Sequence, residues 1–256
     1  VFIISVTPLN VFFYLLLHLL YGKVNGFIYL RSDGYKEYKI KFGIFGYIFF
    51  SLMMRLVEKN LKVISVSKNI KTTKINYLIT PSELDKKWFQ KIKLSSLHFP
   101  TLLYLGRFKK EKGVHSLIEL FQNIKFKFKL TIAGCEDNLF KKSKNIKFIK
   151  ELSNQRKIIN LYDSHNIFIL PSYTEGSPKV ILESLVRKKP IIIFEDIKHV
   201  KSNYKGIFIS KRDSVNLKRT IYYILKNYSK IQNGMSKNIL TTKKEFQKKL
   251  INIVDE

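Results

Sequence analysis

The chain of 256 residues is 45% hydrophobic and carries 47 Lys or Arg against 19 Asp or Glu, which gives a formal net charge of +28. This apolar content excludes an intrinsically disordered protein, and a single cysteine excludes a disulfide scaffold. The length allows one large domain or two modest ones.

The positive charge is distributed along the whole chain. Residues 1–98 hold 15 Lys or Arg and 5 Asp or Glu, and residues 99–256 hold 32 and 14. An excess of this size is typical of proteins that meet an anionic membrane surface or a nucleic acid. The lysines are interleaved with Ile, Asn, Phe and Tyr, however, a pattern that genome base composition also produces. We therefore expect no nucleic-acid partner and keep an anionic membrane surface or an acidic substrate as the alternative to compositional drift.

In the first part of the chain, strand-like apolar runs alternate with helical patterns, which indicates a parallel α/β sheet. We interpret residues 2–21 as a strand, a turn and a buried helix capped by Asn10, because polar residues interrupt the apolar run that a membrane span needs. Residues 43–54 predict a core helix, with contact to a membrane interface as the alternative. The predicted strands lie at 2–6, 26–31, 62–66 and 76–79, and the predicted helices at 11–21, 43–59 and 68–72.

After a polar stretch at 91–98, which we predict to be a linker, the alternation begins again. The predicted strands lie at 101–105, 128–133, 146–149, 166–170, 190–194 and 206–209, and the helices at 113–123, 154–162, 178–188, 214–226 and 236–253. We predict an N-terminal domain at 1–98, a second α/β domain at 99–235 and a C-terminal segment, 236–256, whose helix packs back on the first domain. Parallel sheets bind ligands beyond the carboxyl ends of their strands, so the site is expected in the loops after residues 105, 134 and 170.

The loop between the strand at 166–170 and the helix at 178–188 is the first candidate site. Pro178 presets the backbone dihedral of a first helical residue. The N–H groups of Ser177, Lys179 and Val180 and the positive end of the helix dipole would then face the loop, which is an anion site. Gly176 would let a ligand approach the backbone closely.

Two glutamates flank this helix start. Glu175 lies in the loop and Glu183 in the second turn, so both could face one bound ligand. A carboxylate accepts hydrogen bonds from the vicinal hydroxyls of a ribose or a hexose. Two ordinary interpretations compete: a surface ion row of Glu183 with Lys179 and Arg187 at i, i+4 and i+8, and a solvated turn residue at Glu175.

The second candidate site is the loop LGRFKKEKG at 105–113. It follows a predicted strand and places Gly106, Arg107 and Lys112 just before a helix. Arginine and lysine at such a turn would neutralise a diphosphate. A solvated basic loop is the alternative, because any loop of this chain carries lysines.

Together, these stretches resemble the family 4 retaining glycosyltransferases of the GT-B fold. The resemblance comprises GRF followed by EKG within 106–113, LTIAG at 130–134, LYDSHNIFILPSYTEGSPKVILESL at 161–185 and KKPII at 188–192. The paired glutamates of EGSPKVILE are its specific part. The resemblance covers residues 60–226 and implies two Rossmann-like parallel-sheet domains facing a cleft, of which the N-terminal one is short.

The resemblance also implies roles for single residues. Arg107 and Lys112, next to Gly106, would hold the donor diphosphate, and Glu175 would contact the transferred sugar. The amides around Pro178 would meet sugar hydroxyls or phosphates, Glu183 would hold the ribose, and residues 148–152 would lie near the base. The leaving diphosphate would be stabilised electrostatically, with no metal ion or cofactor. The sequence agrees, since it has no DxD pattern and its five histidines lack i, i+4 spacing.

One departure from the family concerns the acceptor side. Where the family carries a His or a similar group after an N-terminal strand, this chain offers Arg31, Ser32 and Asp33, which could instead cap a turn. We expect a cell-envelope or lipid-linked glycan as acceptor and a cytoplasmic protein, peripheral on the inner face of the cytoplasmic membrane. The alternatives are a non-catalytic nucleotide-sugar or glycan-binding remnant of the fold and a basic nucleic-acid-binding α/β protein.

Overall fold

The computed structural model describes residues 1–93, 99–124, 127–134 and 144–256. Its contacts divide the chain into two compact units, each built on its own parallel sheet. The first unit comprises Val1–Glu83, Thr174–Ser177 and Thr241–Glu256, and the second comprises Leu84–Tyr173 and Pro178–Leu240.

The first unit is a four-stranded sheet in the order β1-β2-β3-β4, with all strands parallel. Its core lies between the strands and the inward faces of the helices, where Ile28, Ile64 and Met54 are fully buried. The elements are β1 (Phe2–Ile4), α1 (Pro8–Tyr21), β2 (Phe27–Leu30), α2 (Gly34–Glu58), β3 (Lys62–Ser65), β4 (Tyr77–Leu78) and α8 (Lys243–Val254).

The starts of both N-terminal helices differ from the prediction. Thr7, not Asn10, caps α1, since its hydroxyl accepts from the Asn10 amide at 3.3 Å and Pro8 fits the first turn. Helix α2 begins at Gly34 rather than at 43 because the Asp33 carboxylate caps it, and it is broken at Gly43, whose φ is 66°. The predicted helix at 68–72 does not form, and those residues make a turn at 68–69 followed by irregular backbone.

The second unit is a six-stranded parallel sheet in the order β10-β9-β8-β5-β6-β7. If the strands of this unit are numbered 1 to 6 along the chain, their order in the sheet is 3-2-1-4-5-6, that of a doubly wound sheet. The strand order reverses between β5 and β8. The elements are β5 (Thr101–Leu105), α3 (Val114–Gln122), β6 (Lys129–Ala133), β7 (Ile146–Ile149), α4 (Gln155–Asp163), β8 (Ile167–Leu170), α5 (Lys179–Val186), β9 (Ile191–Phe194), β10 (Ile207–Ser210), α6 (Ser214–Lys226) and α7 (Tyr228–Met235).

The boundary between the units falls at Glu83 and Leu84 rather than at 98 and 99. Residues 84–93 pack on the second unit because Trp88 is 3% exposed, with its ring 5.9 Å from that of Tyr162. The buried Arg187 guanidinium also donates to the carbonyl oxygens of Trp88, Gln90 and Lys91 at 2.8 to 3.0 Å. Most of the predicted linker at 91–98 lies outside the described residues.

The predicted C-terminal helix at 236–253 is wrong in its bounds. Helix α7 ends at Met235 in the second unit, and α8 begins at Lys243 in the first. A capping box between Thr242 and Glu245 starts α8, whose Ile253 enters the core of the first unit. The segment 241–256 therefore packs on the N-terminal strands and helices.

Candidate functional site

The candidate site lies where β5 and β8 run side by side in the second unit. Leu102 pairs with Ile167, so the two strands end at the same edge of the sheet, and this is the point where the strand order reverses. Ligands of doubly wound sheets bind in the crevice that such a reversal opens. The loops that follow, 106–113 and 171–178, are those predicted to hold the site, whereas most of the loop after residue 134 lies outside the described residues.

The loop after β5, which we call the β5 loop (106–113), and the loop after β8, which we call the β8 loop (171–178), are hydrogen-bonded to each other. The Tyr173 amide donates to the Glu111 carbonyl oxygen at 2.9 Å. Gly113, with φ of 67°, lies so close to the β8 loop that a β-carbon there would fall 2.1 Å from the Pro171 carbonyl oxygen. The two loops therefore form one surface at the sheet edge.

The structure places Arg107 and Lys112 together on the β5 loop. The Gly106 amide extends the sheet by donating to the Ala133 carbonyl oxygen at 3.0 Å. The Tyr104 hydroxyl donates to the Arg107 carbonyl oxygen at 3.0 Å and fixes the backbone there, while the Arg107 side chain stays exposed. Lys112 ends a short 3₁₀ turn and is half-buried. Two cationic side chains thus lie in the loop after β5, and their role toward a diphosphate stays a prediction.

Arg212 is a third cation near this edge, which the sequence analysis missed. Its guanidinium lies 4.2 Å from the ring centroid of Tyr173 and 4.4 Å from that of Phe194. It donates to the Pro171 carbonyl oxygen at 3.0 Å and pairs with Asp196 at 2.6 Å. Its place just after the last parallel strand was the available signal, since that position faces the same edge as the other two loops.

Helix α5 begins beyond the β8 loop, at Lys179. Pro178 is the residue before the first helical turn, not its first member, with φ of −73° and ψ of 123°. The Pro178 carbonyl oxygen accepts from the Ile181 amide at 3.1 Å, and no side chain caps this end. The first-turn amides of Lys179 and Val180 therefore lie at the positive end of the helix dipole, and an anion bound there stays a prediction.

Glu183 is positioned by a buried tyrosine. The Tyr162 hydroxyl donates to a Glu183 carboxylate oxygen at 3.0 Å. Burial, reinforced by this carboxylate, raises the pKa of Tyr162 well above its usual value, so the phenol remains a donor. The alternative of a surface ion row that includes Arg187 is wrong, because Arg187 is 1% exposed and makes a two-pronged ion pair with Asp163 at 2.7 and 2.9 Å.

The remaining predicted residues belong to the first unit. Asp33 is buried and accepts from the Lys36 amide at 3.2 Å, which makes it a helix cap, while Arg31 is exposed and Ser32 half-buried. A β-carbon on Gly176 would lie 2.2 Å from the Arg31 carbonyl oxygen, so protein backbone already demands a glycine there. Ser177 is half-buried and Glu175 is 9% exposed in the same segment, and their roles toward a ligand stay predictions.

The histidines and acids offer no metal centre in the described ranges, where no three His, Cys, Asp or Glu side chains lie close enough to share an ion. His165 is instead built into the second unit. Its ring nitrogens lie 2.7 Å from the Leu161 carbonyl oxygen and 2.7 Å from the Thr131 hydroxyl, and burial lowers its pKa. His165 is therefore a structural residue.

Comparison with known proteins gives matches to sugar-transferring enzymes. The family model described as glycosyl transferases group 1 matches residues 85–241. The capsular polysaccharide biosynthesis glycosyltransferase CapM of Staphylococcus aureus is 30% identical over 126 residues, 43% of this chain and 32% of CapM. A Campylobacter jejuni enzyme, N,N'-diacetylbacillosaminyl-diphospho-undecaprenol alpha-1,3-N-acetylgalactosaminyltransferase, is 23% identical over 160 residues, 59% of this chain and 42% of that enzyme. The chain spans less than half the length of these two relatives.

Solved structures share the fold along nearly the whole chain. Sucrose-phosphate synthase from Thermosynechococcus elongatus matches with a TM-score of 0.77 at 14% identity, over 98% of this chain and 72% of that one. Anabaena HepE, solved with UDP and glucose, matches with a TM-score of 0.70 at 13% identity, over 99% of this chain and 77% of that one. The predicted fold class, an α/β protein of the GT-B type with two parallel sheets, is confirmed.

Proposed function

Because this chain belongs to the group 1 glycosyltransferases, we propose that it transfers a sugar from a nucleotide-diphosphate donor to a cell-envelope or lipid-linked glycan, with retention of configuration. The observation that carries the proposal is the joined pair of loops at the point where the second sheet reverses its strand order. One loop supplies Arg107 and Lys112, and the other leads to the start of α5. Cationic side chains and helix amides at one sheet edge suit a pyrophosphate.

The relatives support the choice of donor and acceptor class. CapM acts in capsular polysaccharide biosynthesis, and the name of the Campylobacter enzyme specifies a diphospho-undecaprenol acceptor. HepE was solved with UDP and glucose. A nucleotide sugar as donor and an envelope glycan or lipid-linked glycan as acceptor follow for this chain as the best-supported substrates.

In the proposed mechanism, Arg107 and Lys112 stabilise the negative charge that develops on the diphosphate as its bond to the sugar breaks. Fixed positive groups aimed at a leaving group are an effective catalytic device, because they cost no reorganisation during the reaction. A diphosphate oxygen accepts the proton of the attacking acceptor hydroxyl on the face that the leaving group occupies. The new bond therefore forms on that face, and configuration is retained. No metal or cofactor is needed, since the protein supplies the positive charge.

The two glutamates have separate proposed tasks. Glu183, oriented by the Tyr162 hydroxyl, accepts hydrogen bonds from the ribose hydroxyls of the donor nucleotide. Glu175 contacts the sugar that is transferred. We also propose a cytoplasmic protein at the inner face of the cytoplasmic membrane, where a lipid-linked acceptor is available, and the net charge of +28 supports attraction to an anionic surface.

The test is turnover of a nucleotide-sugar panel with a lipid-diphosphate-linked acceptor, followed by release of nucleoside diphosphate and by the anomeric configuration of the product. We expect release that depends on the acceptor, and a retained configuration. Glu175→Ala should abolish transfer while nucleoside diphosphate still binds, and Glu119→Ala, an exposed glutamate on α3, should transfer normally. Donor binding without any turnover would favour the non-catalytic binding protein, and an inverted product would overturn the mechanism.

A further inference from the structure

Helix α1 turns an uninterrupted apolar face to solvent. It contains no charged residue, and its outward side chains recur at i, i+3, i+4 and i+7, which is one helical face. A surface helix of a soluble domain normally carries polar residues there. The outward residues are Leu9, Phe12, Phe13, Leu16, Leu19 and Leu20, exposed by 39% to 82%.

Helix α2 is apolar on two opposite faces from Phe42 to its end, a stretch that includes the break at Gly43. Its inward face, with Phe50, Met54 and Val57, is part of the core of the first unit. Its outward face is equally apolar, and α1 and α2 contact each other within this unit, so their outward faces adjoin. The outward residues of α2 are Phe42, Ile44, Phe45, Ile48, Phe49, Leu52 and Leu56, exposed by 48% to 81%. We call the outward residues of both helices the α1/α2 surface.

By length and composition, α2 could cross a membrane, but its structure favours lying along one. The break at Gly43 leaves residues 44–58 as the continuous part, about 22 Å at 1.5 Å per residue, against a hydrocarbon core of about 30 Å. Its Met54 and Val57 are fully buried against the sheet, and a spanning helix would have to give up that packing. An apolar face about one helix deep suits the boundary between headgroups and acyl chains.

The charge around the α1/α2 surface distinguishes two partners that could cover it, an anionic bilayer and a second copy of the chain. Residues 8–60 contain seven Lys or Arg and three Asp or Glu. Of the three acids, Glu58 is buried and Asp33 caps α2. Lys23 follows α1 by two residues, Lys39 and Arg55 lie on α2, and all three are exposed. A second copy, itself carrying +28, would be repelled, whereas an anionic bilayer complements both the basic rim and the apolar centre.

We propose that the α1/α2 surface docks the chain on an anionic lipid bilayer, with the outward side chains of both helices inserted at the interface and the flanking lysines and arginines at the phosphate headgroups. The exposed phenylalanines around Gly43 and along α1 supply the insertion, and the basic rim supplies the attraction. The inference depends on the first unit alone, so it holds or fails independently of the sugar-transfer reaction.

Co-sedimentation of the chain with vesicles tests the proposal. We expect binding to vesicles of phosphatidylglycerol and phosphatidylcholine, weaker binding in high salt, and at least tenfold weaker binding to phosphatidylcholine alone. Phe45→Glu with Leu52→Glu should weaken binding to the anionic vesicles at least tenfold. The matched control is Val215→Glu with Ile239→Glu, which alters two exposed apolar residues of the second unit and should bind normally.

A tryptophan variant provides a second test that does not depend on the glutamate variants remaining folded. Phe45→Trp keeps the position apolar, and its emission should shift to the blue with anionic vesicles, while that of Ile239→Trp should not. Failure of the unmodified chain to bind anionic vesicles would overturn the proposal, as would equal loss in the control pair. A concentration-dependent dimer that Phe45→Glu abolishes, with no vesicle binding, would assign the surface to a second copy instead.

Discussion

Gly113 and Pro171, which follow different strands, are in backbone contact at the edge of the second sheet. A β-carbon on Gly113 would lie 2.1 Å from the Pro171 carbonyl oxygen, and Gly113 has φ of 67°. The close approach brings the basic loop after β5 against the loop after β8. The spacing of Arg107 and Lys112 from the start of α5 therefore depends on the glycine at 113.

Gly113→Ala should separate the two loops and weaken the binding of nucleoside diphosphate at least tenfold. The left-handed conformation alone costs an alanine about 1 kcal/mol, and the clash adds to it. Gly22→Ala is the control, because Gly22 also has positive φ, 73°, but nothing lies within 4 Å of its β-carbon. Calorimetric binding and chemical unfolding of both variants separate the effects, and similar affinity losses in the two would refute the role of the contact.

Tyr162→Phe should reduce affinity for nucleoside diphosphate but leave affinity for inorganic pyrophosphate unchanged. The phenol hydroxyl donates to Glu183 and is completely buried, so its removal frees the carboxylate to turn away from the ribose. A hydrogen bond to a charged group contributes about 1.5 to 3 kcal/mol. Parallel titrations with the two ligands are decisive, since an equal loss for pyrophosphate would mean that the variant disturbs the whole site.

Arg212→Lys should destabilise the second unit despite keeping the charge. Lysine cannot stack on Tyr173 and Phe194 while also bonding Asp196 and the Pro171 carbonyl oxygen, which the planar guanidinium does. We expect a loss of about 1 to 3 kcal/mol in the free energy of unfolding. Arg219→Lys, at an exposed position of α6, should unfold like the unmodified protein. Equal stability of both variants would contradict the prediction.

Because of Lys189, the free energy of unfolding should increase as the pH rises above about 8. The pKa of Lys189 is lowered to about 8, because the effect of burial outweighs the opposing effect of Asp163 and Arg187 adds a smaller lowering. The unfolded chain, with an ordinary lysine pKa, then holds this proton more tightly than the folded one, so folding becomes more favourable as the pH rises from 8 to 10. Relative to Lys189→Met, the unmodified protein should gain about 2 kcal/mol over this range. A constant difference between the two would contradict the lowered pKa.

The sequence predicts a strand or a helix well where one hydrophobic pattern dominates the segment. The strands at 101–105 and 146–149 and the helix at 214–226 appear at the predicted bounds, since each is a clear apolar run or an amphipathic helix bounded by turns. Helix starts were less predictable. Thr7 and Asn10 are both good caps, and only the fit of Pro8 in the first turn decides between them.

Contacts distant in sequence set the features that the sequence could not predict. Arg187 has the spacing of a surface ion pair, yet its acceptors include the carbonyl oxygens of Trp88 and Gln90, nearly a hundred residues away. Those hydrogen bonds also attach residues 84–93 to the second unit. The boundary between the two units therefore lies at 83/84 and not at the predicted 98/99. The basic loop and the Glu183 position were predictable because strand-loop-helix order alone places them at the sheet edge.

The most direct test of the diphosphate site is calorimetric titration of a panel of nucleoside diphosphates into the unmodified chain and into Arg107→Ala with Lys112→Ala. We expect one member of the panel to bind the unmodified chain, and the double variant to bind it at least a hundredfold more weakly, since each lost charged hydrogen bond costs about 1.5 to 3 kcal/mol. Lys109→Ala with Lys110→Ala, in the same loop, should keep at least a third of the affinity. Unchanged affinity in the Arg107 and Lys112 variant would contradict the site.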